Sequence, residues 1–130
     1  MLLISHDWEQ KLLENGKSEN KDKDHPPVVH ISILGTKCHW LLSELDPEMP
    51  NIAFGLCDLG MGFPEMEYVD LNEIAELSMS ASVLPIISMK AANSQYPLTT
   101  YWRASLVHRE VTTDEKLLMQ AFHAKDKSSS

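Results

Sequence analysis

Two histidines and a cysteine set the first chemical question. His30, His39 and Cys57 each fall inside a short apolar segment, at positions that alternate with aliphatic residues. Imidazole and thiolate both suit zinc, and two histidines with one cysteine would leave a fourth tetrahedral position open. His39 beside Cys57 would equally make a minimal base–nucleophile pair, because an adjacent imidazole favours the reactive thiolate. The competing reading is a sheet face of small and polar residues over which a helix packs. No ligand motif of recognised spacing accompanies the three residues, so the expectation is no cofactor, with zinc as the one metal they would suit.

A second set is acidic. Glu44, Asp46, Asp58 and Glu65 lie near the ends of apolar segments and could jointly hold Mg²⁺ or act as paired acid and base, or could simply be solvated. Asp58-Leu59-Gly60-Met61-Gly62 is not a phosphate loop, since it lacks the Gly-x-x-x-x-Gly-Lys pattern and the third glycine of a dinucleotide fingerprint. Its glycines suit a sharp turn. Met61 and Phe63 in that loop are candidates for a partner-binding surface, with burial against Trp40 as the alternative.

The elements that must position these residues follow from periodicity. Ser5 caps an expected helix from His6 to Asn15, which Gly16 stops. Residues 17–27 read as a linking loop ending in Pro-Pro. Val28 to Leu34 alternates as a strand, Gly35-Thr36 signals a two-residue hairpin turn, and Lys37 to Leu45 forms the next strand. A turn around Asp46–Pro50 leads to a third strand, Asn51 to Asp58. A short strand at Glu67–Val69, a helix at Asn72–Met79 and an edge strand at Leu84–Met89, entered at Pro85, complete the middle of the chain. Thr99 to Arg109 is expected as a helix capped by Thr99, with Leu98, Trp102 and Leu106 at helical spacing. The capping box Thr112-Thr113-Asp114-Glu115 predicts another helix from Thr113 to His123, and residues 125–130 read as a disordered tail. The expected fold is α+β, one domain over residues 1–124: an antiparallel meander of four to five strands with an N-terminal helix and C-terminal helices packed on it.

Register makes this testable. The first hairpin places Val29, Ile31 and Ile33 opposite Leu42, Trp40 and Cys38. Centring the second turn on Glu48 places Trp40 opposite Leu56 and Leu42 opposite Phe54, giving one apolar face of Val29, Ile31, Ile33, Trp40, Leu42, Ile52, Phe54 and Leu56. The opposite face would then carry Ser32, His39 and Cys57 in a single cross-strand row, with His30 diagonal to His39. Glu44 would end the apolar face, exposed.

At 130 residues, with 43% apolar and 23% charged residues, the chain has the balance of an ordinary globular domain. The net charge of −8 is uneven: residues 38–89 hold nine acids and no Lys or Arg. That argues against direct nucleic-acid binding, which needs clustered basic residues, and suits a basic protein partner or plain solubility. No uncharged apolar run is long enough to span a membrane. Two cysteines and no basic, apolar leader suggest reduced thiols in a cytoplasm.

Trp40-Leu41-Leu42-Ser43-Glu44-Leu45-Asp46-Pro47 and Ile52-Ala53-Phe54-Gly55-Leu56-Cys57-Asp58-Leu59-Gly60-Met61-Gly62-Phe63-Pro64-Glu65 resemble the central block of domain of unknown function 2958. Leu12-Leu13-Glu14-Asn15-Gly16, Tyr68-Val69-Asp70-Leu71-Asn72-Glu73-Ile74 and Pro97-Leu98-Thr99-Thr100-Tyr101 are similar to its flanking segments. The resemblance implies a small bacterial protein of plasmids, phages or conjugative elements with an accessory role, and it brings no catalytic residues. The reading the sequence favours is therefore a non-enzymatic module that binds a protein through Glu44, Asp46, Asp58, Met61, Phe63 and Glu65. A zinc- or thiol-dependent enzyme built on His30, His39 and Cys57 and an acidic inhibitor of a nucleic-acid-binding enzyme are the alternatives.

Overall fold

A computed structural model describes residues 4–81 and 87–128. In chain order the elements are α1 (His6–Asn15), β1 (Val29–Ile33), β2 (His39–Leu45), β3 (Ile52–Asp58), β4 (Glu65–Asp70), α2 (Leu71–Ala81), β5 (Ile87–Ala91), α3 (Leu98–His108) and α4 (Glu115–Ser128). The strands form one antiparallel sheet of order β4-β3-β2-β1-β5. β1 to β4 are the expected meander, and β5 joins the free edge of β1 after α2. The fold is α+β. The expected strand entry at Leu84 and Pro85 falls outside the described residues.

One face of the sheet buries Val29, Ile31, Ile33, Trp40, Leu42, Leu45, Ala53 and Cys57 together with Leu12 of α1 and Leu71 and Ile74 of α2. The other buries Leu41 and Leu56 beneath Leu98, Tyr101 and Ala104 of α3 and Leu118 of α4. Helices thus cover both faces, which is why β2 reads as a nearly continuous apolar run.

The first hairpin has the expected register, Ile31 opposite Trp40 and Val29 opposite Leu42. Its tight turn is one residue earlier than predicted: Thr36 N–H donates to Ile33 O at 3.1 Å, and Gly35 takes φ +83°. A longer loop centred on the same point leaves the pairing unchanged. The second register is corrected by one residue. Trp40 faces Cys57 and Leu41 faces Leu56, and a β-bulge then inserts Ser43 between the pairs Leu42–Gly55 and Glu44–Phe54. Ile52, Phe54 and Leu56 therefore lie on the face opposite Trp40, and Cys57 joins the Trp40 core.

The bulge has a cause in α1. Ser5 Oγ accepts from Trp8 N–H to start the helix, and Asn15 at its end is buried and donates its side-chain amide to Ser43 O at 2.9 Å. Gly16 follows because a Cβ there would lie 1.9 Å from Leu45 O. The bulged carbonyl, denied a ladder partner, is satisfied by the helix that packs over it.

The C-terminal half differs in its caps. Pro97 takes the N-cap position of α3, and Thr99 instead bonds Asp24 through its hydroxyl and its N–H. This contact docks the loop of residues 17–27 on α3. The buried stripe of α3 is Leu98, Thr100, Tyr101, Ala104 and Ser105, whereas Leu106 is exposed. At α4, Asp114 rather than Thr112 caps the helix, accepting from Leu117 N–H at 3.1 Å. The helix continues past His123 to Ser128.

Asn15→Ala leaves the Ser43 carbonyl buried without its donor, so it should cost about 1–3 kcal/mol in urea unfolding. An unchanged midpoint would show that the bulge does not depend on α1.

Candidate functional site

The histidines meet as expected. His30 on β1 and His39 on β2 share a hydrogen bond between Nε2 and Nδ1 at 3.0 Å, with ring centroids 5.2 Å apart. Burial first, then the neighbouring His39 and Lys90, push the His30 imidazole down to about 4, so it is neutral at pH 7. Cys57 does not join them. The shifted register turns it to the far side of the sheet, opposite Trp40, and puts Asp58 in its place across from His39. The Ser32–His39–Cys57 row is not formed, and His30, His39 and Cys57 do not converge on one point.

The thiol environment opposes reactivity as well. Burial, with Glu67 and Glu65 alongside, raises the Cys57 thiol to about 12. A nucleophilic cysteine needs the reverse, a nearby positive charge that stabilises the thiolate. Cys38 shares the Trp40 face rather than opposing Cys57 across the sheet, and both cysteines are free.

Asp58 was expected at a binding surface and is 1% exposed. Its Oδ1 accepts from Gly60 N–H at 2.8 Å and its Oδ2 from Val111 N–H at 2.9 Å. The carboxylate therefore ties the β3–β4 turn to the connection between α3 and α4. Gly60 lies only two residues on, but Val111 is 53 residues along the chain, and the sequence carried no local sign of that second partner.

The remaining expected site residues divide between the two ends of β3 and β4. At one end, Gly60 and Gly62 take φ +79° and +85° and shape a hairpin tip that leaves Met61 69% and Phe63 72% exposed. Leu59 is exposed beside them, and Glu65 and Glu67 flank them on β4. Burial of Met61 and Phe63 against Trp40 does not occur. At the other end, the bulge moves Glu44 off the Trp40 face, so it is half-buried opposite Phe54 rather than exposed beside Ile52. Glu44 and Asp46 line a cleft of about 450 Å³ that also holds Phe54 and Tyr68. Burial, and secondarily Asp22, raise the Glu44 carboxyl to about 7, while Lys21 opposes the shift. Phe54, Tyr68 and Glu67 were absent from the expected site. Strand alternation from a register through Glu44 and Phe54 would have found Phe54 and Tyr68, whereas Glu67 lies on the other face with Glu65.

A further cleft of about 530 Å³ lies between β1, β5 and the C-terminal helices, lined by His30, Leu41, Lys90, Ser94, Tyr101 and Glu115 among others. Tyr96 Oη donates to Glu115 at 2.9 Å on its rim. No group of three or more His, Cys, Asp or Glu side chains is arranged to hold a metal among the described residues. No helix among them is long and apolar enough to cross a membrane.

These features define a small α+β protein with an antiparallel sheet covered on both faces and an acidic, partly apolar hairpin at one end. The chain belongs to the family described as protein of unknown function (DUF2958), whose sequence model matches residues 3–112. The match stops before α4. Neither a curated protein nor a solved structure matches the chain.

The thiol environments predict unequal alkylation. Iodoacetamide at pH 8 should modify Cys38 in the folded protein and Cys57 only after unfolding, with two thiols per chain under denaturing, non-reducing conditions. Faster labelling of Cys57 would contradict its burial.

Glu44 gives a pH signature. The groups facing it or lining its cleft are Lys17, Glu19, Lys21 and Asp22 from the loop, Asp46 and Glu48 from the turn, and Tyr68 from β4. A carboxyl raised in the folded state contributes stability that is present below its unfolded value and lost as pH rises through about 7. Glu44→Gln removes that loss, so its melting temperature should gain on wild type at pH 8 and not at pH 5. Parallel curves for the two proteins would rule out a desolvated Glu44.

Proposed function

We propose that the chain is a non-enzymatic protein-interaction module that engages its partner through the β3–β4 hairpin. The observation that carries this reading is the exposure of Met61 and Phe63 on a tip held by two positive-φ glycines. Large apolar side chains held out in water cost free energy unless another surface covers them, and methionine and aromatic residues are enriched in interface cores. Glu65 and Glu67 supply a polar, acidic border, and the acidic segment 38–89 extends the same sign of charge. The partner that fits is a protein with an apolar groove bordered by Lys or Arg, reached by electrostatic steering. An accessory role in a bacterial mobile element is the setting that the family resemblance supports, and two free thiols suit a cytoplasm.

Met61→Ser with Phe63→Ser tests the reading. A partner captured by the wild-type chain should bind the double variant at least about tenfold more weakly, the effect of losing a hot spot, while circular dichroism stays unchanged. Glu65→Lys with Glu67→Lys should slow association, most at low salt. Wild-type affinity in the double serine variant would sink the proposal.

A further inference from the structure

The cleft at the opposite end of β3 and β4 contains a cross-strand row with a distinct chemistry. Glu44 on β2 stands opposite Phe54 on β3, and Phe54 stands opposite Tyr68 on β4. The two rings lie 5.0 Å apart between centroids at 58°, and Tyr68 is 70% exposed. The Glu44 carboxylate, half-buried, has no hydrogen-bond or ion-pair partner among the described residues. The nearby cations do not fill that role. Lys17 is drawn to Glu14 at 2.7 Å, and Lys21 stays beyond ion-pair distance.

The walls are fixed before anything binds. Asn20 donates its side-chain amide to Glu14 O at 2.9 Å, and Lys21 N–H donates to Lys17 O at 2.8 Å, which sets the loop side. Asp46 Oδ1 accepts from Glu48 N–H at 2.9 Å, which sets the turn side. A carboxylate without a partner, next to two aromatic rings in an open cleft of about 450 Å³, has the makings of a cation site. The carboxylate supplies charge and a bidentate acceptor, and the rings supply a surface for a planar cation to stack on.

We propose that this cleft binds an arginine side chain presented by a basic protein partner, with Glu44 accepting from the guanidinium, the exposed Tyr68 ring stacking on it and Phe54 flanking it. Guanidinium is favoured over ammonium because it is planar, weakly hydrated and matched to a carboxylate fork. A bound cation also relieves the burial cost that Glu44 otherwise carries alone. The proposal rests on the reading of the chain as an interaction module but uses a surface separate from the hairpin tip.

The experiment is a titration of the full chain with N-acetylarginine methylamide, followed by amide chemical shifts, with the norleucine analogue as the neutral control. The arginine probe should saturate at millimolar concentration and shift residues 44, 54 and 68. The norleucine probe should not. Glu44→Gln and Tyr68→Ala should each weaken arginine binding about tenfold, and Glu44→Asp should restore part of it relative to Glu44→Gln. Equal binding by Glu44→Gln, shifts confined to other residues, or equal binding of norleucine would each overturn the assignment. Partner capture by Phe63→Ser separates the two proposals. If the arginine probe fails while capture still depends on Phe63, only the cleft is wrong. If the probe binds as expected while capture ignores Phe63, the hairpin reading is the one that falls.

Discussion

The bulge at Ser43 and the Asn15 amide that satisfies it organise most of this molecule. A regular β2 would place Leu42 and Glu44 on one face and Leu45 on the other. The extra residue puts Leu42 and Leu45 together on the Trp40 face and turns Glu44 toward Phe54. α1 is the element that makes this arrangement tolerable, because it covers the bulge and supplies a donor to the freed carbonyl. Gly16 then allows the chain to leave the helix within contact of Leu45, where any side chain would collide with the backbone. The bulge, the helix end and the close approach are thus one device, and each would be destabilising without the other two.

This device also marks the limit of what the sequence made legible. The first hairpin could be read because its register depends only on the loop's centre, and Gly35 fixed that centre even though the turn type differed. The second hairpin could not be read the same way. Asp46 to Pro50 offers several centres one residue apart, and alternation cannot choose among them when residues on both faces are apolar. Leu41, Leu42, Leu56 and Cys57 are all buried, so sliding the strands by one residue still yields a plausible apolar face. Two turns that agree on one apolar face therefore do not fix the register. Helices covering both faces of an antiparallel sheet removed the polar face that would have revealed the slip.

The same one-residue shift changes the chemistry. With it, the cysteine and the histidines lie on opposite sides of the sheet, and an arrangement that would have suited a metal or a thiolate is lost. Cys57 becomes a core residue beside Trp40, with acids nearby that discourage ionisation. Asp58 moves from a candidate surface to a buried clamp whose partners at Gly60 and Val111 hold the hairpin tip and the start of the C-terminal connection. Burial of this carboxyl group is tolerable because both its oxygens accept from backbone N–H groups. The effect is to anchor a hairpin whose outer residues are apolar and exposed.

The acidic middle of the chain was visible from composition, but its division was not. Met61, Phe63 and Glu65 lie at one end of the β3–β4 pair and Glu44 and Asp46 at the other, with Asp58 buried between the first group and the core. β3 and β4 pair from Ile52–Asp70 to Cys57–Glu65 between the two surfaces, so a partner of the kind proposed would meet both already placed. The hairpin offers apolar area, which stabilises a complex without choosing strongly among partners. On the reading proposed above, the cleft offers a half-buried carboxyl next to aromatic rings, which would contribute little area but would disfavour any group that cannot neutralise it. The bulge that costs β2 its regularity is what delivers Glu44 to that cleft. An irregularity needed by the core packing of Leu42 and Leu45 therefore also turns the Glu44 carboxyl toward Phe54 and Tyr68.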